Sequence, residues 1–310
     1  MKLAGWDKET SPFHEGEQRL QARLGRKERQ EALGRKMFRP FMPDQHREFF
    51  AQLPFFVVGS VDAEGRPWAS LLFGAPGFIS TPDDRTLNIA SQPIAGDPLE
   101  HNLREGSPLG FLGIELPTRR RNRVNGVLRS RNAEGLDVQV VQSYGNCPQY
   151  IQVRDVEFAP TSATELTVET LNQLDDPATA LIRKAGTFFV ATHNGKDNKF
   201  DTGGTDVSHR GGQPGFVEVD GNTLTIPDYK GNFVFNTFGN MLLNPKAGML
   251  FVDFGTGDIL QLTGSTELLW DMPDDWKDER GAERAWQFHF EHGVRLKGAS
   301  PVRWGAPLAS

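Results

Sequence analysis

Three short strings recur in order along this chain at nearly constant spacing. Phe55-Phe56-Val57 is echoed by Phe188-Phe189-Val190, Leu109-Gly110-Phe111-Leu112 by Ala247-Gly248-Met249-Leu250, and Asn125-Gly126 by Thr263-Gly264, at offsets of 133, 138 and 138 residues. Each set is led by a helix-like segment, DQHREFFAQLP in the first and DDPATALIRKAG in the second. One chance apolar match is unremarkable, but three in order indicate a duplicated unit. The chain is therefore expected to hold an N-terminal arm over residues 1–40, a first unit over 41–160 and a second over 161–310. The boundary near Pro160 falls in the polar stretch APTSATE, where few contacts need cross.

Within the first unit, FFVVGSVDAEGRPWASLLFG sets two apolar runs around an Asp-Ala-Glu-Gly-Arg turn, the pattern of a β-hairpin. GFIS, TLNIA, LGFLGIEL, RVNGVLRSR and GLDVQVVQSYG follow as further short strands. With 33 Gly and 20 Pro to turn them, such strands favour barrels or sandwiches over a helical bundle, because a sheet that closes on itself leaves few unpaired edges. The expected fold is mainly β, two tandem barrels of one topology with flanking helices. DQHREFFAQLP reads as one of those helices, started by Asp44 and stopped by Pro54. The first 40 residues are charged, with Leu20, Leu24 and Leu33 at roughly helical spacing, and read as a solvated arm or surface helix, or more plainly as an arm that packs on the body.

The 34 Lys and Arg against 40 Asp and Glu give a formal net charge of −6, which offers a phosphate backbone no overall attraction and disfavours a general nucleic-acid binder. One Cys allows no internal disulfide, and the residues after Met1 lack the apolar run of a secretory signal, so a cytoplasmic setting is expected. No run approaches the ~18 apolar residues of a membrane-spanning helix, so no membrane partner is expected.

Three constellations could carry chemistry. In DVSHRGGQPGF, LTIPDYKGN and FNTFGNMLLNP, the groups Ser208, His209, Arg210, Lys230, Asn232, Asn236 and Asn240 alternate with glycines that let backbone amides approach a ligand. Arginine forks, a lysine point charge and exposed N–H groups suit a phosphate. Ordinary polar loops use the same residues for conformational reasons. Arg119 to Arg123 place four arginines within five positions. Strand alternation puts Arg121 and Arg123 on one face, either as a directed basic ridge or as charge that guards a sheet edge. Around Cys147, Tyr144 and Tyr150 could pack on a flat ligand or on the core. Cys147 itself, with no His or Lys nearby in sequence, reads as a buried, inert thiol. His289 and His292 form no convincing metal set, and the adjacent Ser208 and His209 aim apart on a strand, against a serine triad. There is no P-loop, no GxGxxG after a strand and no GxSxG elbow.

At these residues the sequence resembles the pyridoxamine 5′-phosphate oxidase-like family, split β-barrels that bind flavin mononucleotide (FMN), and within it the tandem flavin-nucleotide-binding branch. The strings that carry the likeness are NCPQYIQ, DVSHRGGQPGFVEVDGNTLTIPDYKGNFVFNTFGNMLLNPKAGMLFVDF and GDILQLTGS. The resemblance implies FMN as cofactor and places the flavin phosphate at the turn Tyr229-Lys230-Gly231-Asn232, ahead of Leu242-Leu243-Asn244-Pro245. By the same likeness Arg121 stands where the family has a glutamine approaching the flavin ring. The first copy has Ser91-Gln92-Pro93 at the matching turn, with no cation, so the phosphate end is expected in the second copy. Single-barrel relatives hold flavin at a homodimer interface. A tandem chain could supply both halves itself, as a monomer with an internal pseudo-dimer or as a homodimer, with Arg121 and Arg123 of copy one facing the site of copy two. The implied activity is electron exchange between a reduced nicotinamide, NAD(P)H, or a partner reductase and an acceptor. The alternatives are a non-catalytic flavin- or haem-binding module and, from the arginine ridge, a polyanion-binding protein. The family's Arg- and His-containing end, which grips the vitamin B6 substrate, has no counterpart in GASPVRWGAPLAS beyond Arg303 and Trp304.

Overall fold

A computed structural model of the chain describes residues 5–160, 166–195, 204–271, 276 and 281–308. Three helices lead: α1 (Glu15–Arg23), α2 (Lys27–Met37) and α3 (Asp44–Ala51). The first barrel follows as β1 (Phe55–Val61), β2 (Pro67–Phe73), β3 (Ile79–Ser80), β4 (Thr86–Ile89), α4 (Leu99–Asn102), β5 (Pro108–Glu115), β6 (Arg120–Asn132) and β7 (Gly135–Gly145). After β8 (Val156–Phe158) and β9 (Thr167–Leu171) comes the second: α5 (Asp176–Lys184), β10 (Thr187–His193), β11 (Thr205–Gly211), β12 (Glu218–Asp220), β13 (Thr223–Tyr229), α6 (Asn236–Leu243), β14 (Lys246–Val252), β15 (Ile259–Leu269), β16 (Ala282–Lys297) and finally β17 (Val302–Trp304).

The strand orders are β2-β1-β5-β6-β7-β4-β3 and β11-β10-β14-β15-β16-β13-β12, one topology used twice. Even the irregularities repeat. The β6/β7 ladder slips between Asn125 and Gly126, and the β15/β16 ladder slips between Thr263 and Gly264, the positions that echo each other in sequence. The first echo, however, is displaced by one residue. Val58 faces Phe111 and Val190 faces Met249, so Val58 matches Val190 and Phe56 matches Phe188, an offset of 132 rather than 133. Strand periodicity decides this: Phe56 and Phe188 each fill their own barrel's core, and a one-residue slip would turn the strand inside out.

The barrels share a third core between them. Val57, Leu71, Leu112 and Ile114 of the first pack with Phe189, Val207, Leu250 and Val252 of the second. The matching glycines Gly110 and Gly248 permit this approach, since a Cβ on Gly110 would stand 2.5 Å from the Thr205 carbonyl oxygen and one on Gly248 would stand 2.4 Å from that of Pro67. The two barrels are therefore packed on one another rather than held apart. Apolar strand faces not needed inside each barrel are buried against the other, and β8, ahead of the expected boundary, pairs with the C-terminal β17. Residues 161–165 of the boundary stretch lie outside the described residues.

One local expectation also changes. Asp44 is the first residue of α3 rather than its cap and pairs with Arg47 at 3.2 Å, whereas α5 is capped through Asp175 Oδ1, which accepts from the Ala178 amide at 2.8 Å. In the arm, α1 buries Leu20, Glu17 and Gln21 against the second barrel, while Leu33 of α2 stays exposed. No helix among the described residues is long and apolar enough to cross a membrane.

Candidate functional site

Where β6 of the first barrel crosses β11 of the second, a cleft opens to solvent between the barrels. Alternation along β6 sends Arg121 and Arg123 to the same side, across the seam. Arg123 is buried; its Nη2 donates to Ser208 Oγ at 2.5 Å and its Nη1 to Tyr144 Oη and Asn236 Oδ1, both at 3.3 Å. Asp206 balances its charge at 3.7 Å and accepts from Tyr144 Oη at 3.0 Å and Asn125 Nδ2 at 2.7 Å.

Arg121 is in a different electrostatic position. Its Nε donates to the Cys147 carbonyl at 2.7 Å and its Nη1 lies 3.2 Å from His209 Nδ1, and no carboxylate pairs with it among the described residues. Burial, then the charges of Arg123 and Arg210, pull its pKa down to about 10, so it stays a cation at neutral pH in a place that favours an anion. Since a guanidinium can only donate, His209 Nδ1 must accept, and the network assigns the ring proton to Nε2. That Nε2 is buried without a partner. Burial first, then Arg121 and Arg210, hold the imidazole neutral, well below its ordinary pKa.

On the far wall Arg210 Nη1 and Arg284 Nη1 flank one carboxyl, reaching Asp228 Oδ1 at 2.6 Å and Oδ2 at 2.7 Å. Arg284 also meets Glu283 at 2.8 Å. The rings of Phe238 and Phe235 lie under these guanidiniums at 5.0 and 5.1 Å. Between β13 and α6, Phe233 and Phe235 hold left-handed backbone, with φ of 59° and 68°. Such strain costs about 1–2 kcal/mol per non-glycine residue and gathers at functional sites. Here it turns the start of α6, which has no side-chain cap, so that Asn236, Thr237 and Phe238 line the cleft. Uncapped first-turn amides are anion receptors.

Of the residues named from sequence, Ser208, His209, Arg210, Tyr229, Asn232, Asn236, Arg121 and Arg123 come together around this cleft. Lys230 does not join them. It is exposed beyond the end of β13, its carbonyl accepts from Tyr150 Oη at 2.9 Å, and the cations that face the cleft are arginines. Asn240 is buried on Thr192 at 3.1 Å rather than lining the cleft. Cys147, expected buried, is exposed on the cleft wall, because the segment after β7 turns outward and the Cys147 carbonyl, rather than its thiol, meets Arg121. Tyr144 belongs to the buried network, while Tyr150 is exposed and packs on Tyr229 at 5.4 Å. The arginine ridge is divided, since Arg120 turns the other way onto Phe49. Sequence reasoning missed Arg284, 56 residues from Asp228 in the chain; only the β13/β16 register sets the two side by side.

The duplication generates a second, matching position, and it is closed. By strand register, Ile259 stands where Arg121 does, Leu71 where His209 does and Leu296 where Asn146 does. All three are buried in the core shared by the barrels.

Residues 42–175 match the family model described as pyridoxamine 5′-phosphate oxidase. The matched span contains every strand of the first sheet, and the second sheet repeats its strand order. The first barrel thus matches the pyridoxamine 5′-phosphate oxidase family, and the fold is that of a split barrel used twice. Solved structures of this size class align to about one barrel of it. HupZ of Group A Streptococcus is 17% identical over 44% of this chain and 99% of its own, with a TM-score of 0.32. An FAD-binding protein of Mesorhizobium loti is 14% identical over 43% and 98%, with a TM-score of 0.30. HutZ, the heme storage protein of Vibrio cholerae, is 14% identical over 40% and 96%, with a TM-score of 0.28. No curated protein matches the chain. One strand order is thus present twice, and of its two matching seam positions one opens into an arginine-lined cleft while the other is filled by Ile259, Leu71 and Leu296.

Proposed function

We propose that the cleft binds one phosphorylated flavin, FMN, per chain, and that the protein exchanges electrons through it. The observation that carries this reading is Arg121, a cation in a cleft with no carboxylate of its own, set beside the unpartnered His209 Nε2 donor. Further groups fit such a ligand. Orphaned polar atoms on Asn146, Arg123 and Arg210 await partners, the uncapped start of α6 suits a phosphate, and Phe216, Phe235 and Tyr229 offer flat apolar contact to a ring.

Bound flavin would supply the redox chemistry, and the chain's residues would bind, orient and tune it. Arg121 and His209 would favour negative charge on whatever atom they meet. The buried Arg123 and Asp206 pair keeps that wall rigid. No acid, base or nucleophile is required of the protein, consistent with the motifs present. NAD(P)H or a partner reductase as electron source belongs to this proposal and is tested with it. The haem alternative is weaker at this cleft, because an axial histidine needs a free lone pair and the Arg121 contact leaves His209 Nε2 protonated.

The test is an absorption spectrum of the purified protein, followed by titration of stripped protein with FMN. A flavin spectrum or tight uptake is expected, and turnover with NADH or NADPH and an electron acceptor separates an enzyme from a binding module. Protein that is colourless and takes up no flavin would refute the reading.

A further inference from the structure

The N-terminal arm reaches the cleft from behind, and three of its side chains end on one short stretch of the cleft wall. Gln21 Nε2 donates to the Val234 carbonyl at 3.2 Å, and the Arg26 guanidinium lies 4.2 Å from the centre of the Phe233 ring. Glu17 Oε1 accepts from Asn236 Nδ2 at 2.6 Å, while its other oxygen accepts from the His14 amide at 2.9 Å, which fixes how the carboxyl is turned. Glu17 and Gln21 are 2% and 1% exposed, unusual burial for polar side chains on a charged helix. The helices meet almost backbone to backbone, for a Cβ on Gly16 would stand 2.1 Å from the Gly239 carbonyl oxygen.

The stretch so held is the strained one. Phe233 and Phe235 are the left-handed residues that swing α6 toward the cleft, and such backbone persists only where its surroundings over-determine it. We propose that the arm is a positioning element of the cleft: Glu17, Gln21 and Arg26 hold residues 233–236 in the shape that receives the ligand. Arm docking and ligand occupancy are then coupled, each strengthening the other by the same factor. The flavin reading supplies the identity of the ligand; the clamp rests on the contacts alone.

The experiment compares the full chain with the double variant Gln21→Ala/Arg26→Ala, with Arg26→Lys, and with Arg19→Ala on the exposed face of the same helix. Amide hydrogen exchange is followed without ligand and with FMN, and the FMN dissociation constant is measured. In the double variant, exchange over residues 231–238 rises and FMN binds about tenfold more weakly, a typical size for coupling between sites, while exchange in β14 stays as in the parent. Arg26→Lys, which keeps a cation over Phe233, binds more tightly than the double variant, Arg19→Ala behaves as the parent, and FMN slows exchange in α1. Parent-like loop exchange in the double variant would overturn the proposal. If β14 also exchanges fast, Gln21→Ala alone is read by the same criterion. A parent chain that binds no FMN refutes the flavin reading only, and the ligand-free exchange still decides the clamp.

Discussion

Arg123 and Gln261 occupy matching positions on the two barrels, and each crosses the seam to the matching serine of the other. Arg123 Nη2 lies 2.5 Å from Ser208 Oγ and Gln261 Nε2 lies 3.0 Å from Ser70 Oγ. The pseudo-two-fold is therefore intact at the hydrogen bond and broken in charge. Around Arg123 the seam widens into the polar cleft, while around Gln261 it stays closed, with Leu71, Ile259 and Leu296 beside the buried Ser70, Gln261 and Asp97 hydrogen-bond set. A chain containing both halves can let one of two equivalent sites become structure, which a homodimer of identical barrels cannot do.

One consequence is stoichiometric. FMN is expected to saturate at one per chain, because Ile259, Leu71 and Leu296 leave the matching position without cations. Calorimetric titration counts the sites, and two per chain would contradict the assignment of the second seam position to the core.

The two cleft arginines should separate function from stability. Arg121→Ala removes a cation with no carboxylate partner, so FMN affinity falls by about 1.5–3 kcal/mol, the worth of a hydrogen bond to a charged group, with little change in unfolding midpoint. Arg123→Ala leaves Asp206 buried beside Tyr144 without its counter-charge and destabilises the fold by about 3–5 kcal/mol. Urea unfolding and FMN titration of both variants check the contrast.

Cys147 provides a reporter, being the only cysteine of the chain and exposed on the cleft wall. Its reaction with a thiol-specific reagent should slow in the presence of saturating FMN. An unchanged rate would place the ligand elsewhere.

Asp97 governs one pH dependence. Its carboxyl is buried, accepting from Ser70 Oγ at 2.7 Å, the Leu99 amide at 2.8 Å and Gln261 Nε2 at 3.1 Å, and burial raises its pKa to about 6 despite these bonds. Above an unfolded pKa near 3.9 the unfolded chain loses this proton first, so the group's contribution is greatest at low pH. It declines as pH rises to about 6, by about 3 kcal/mol at most. Unfolding at pH 5 should accordingly release more protons from the parent than from Asp97→Leu.

His46 supplies the opposite slope. Burial, then Arg39 and Arg120, lower its pKa to about 4, and its Nδ1 lies 2.7 Å from Ser143 Oγ. Below pH 6.5 the unfolded chain gains a proton that the folded chain refuses until about pH 4, so this contribution is present above pH 6.5 and lost on acidification. His46→Gln should flatten the loss of stability between pH 6.5 and 4, measured by urea unfolding.

Local rules made much of this molecule legible. The order of recurring strings fixes a duplication, turn residues punctuate the strands, and alternation alone puts Arg121 and Arg123 on one face. These are properties of residues a few positions apart, which any chain displays in its own letters. What they cannot carry is a partnership between distant strands. Arg284 meets Asp228 through the β13/β16 register, Glu17 reaches Asn236 from 219 residues away, and Lys230 stands outside the cleft because a strand ends one residue before it. The one-residue correction of the first echo shows the limit clearly, since letters match Phe55 with Phe188 but burial matches Phe56 with Phe188. Which of two matching seams opens into an arginine-lined cleft, and which is closed by apolar side chains, is settled by contacts across barrels, and these exist only once the whole chain has folded.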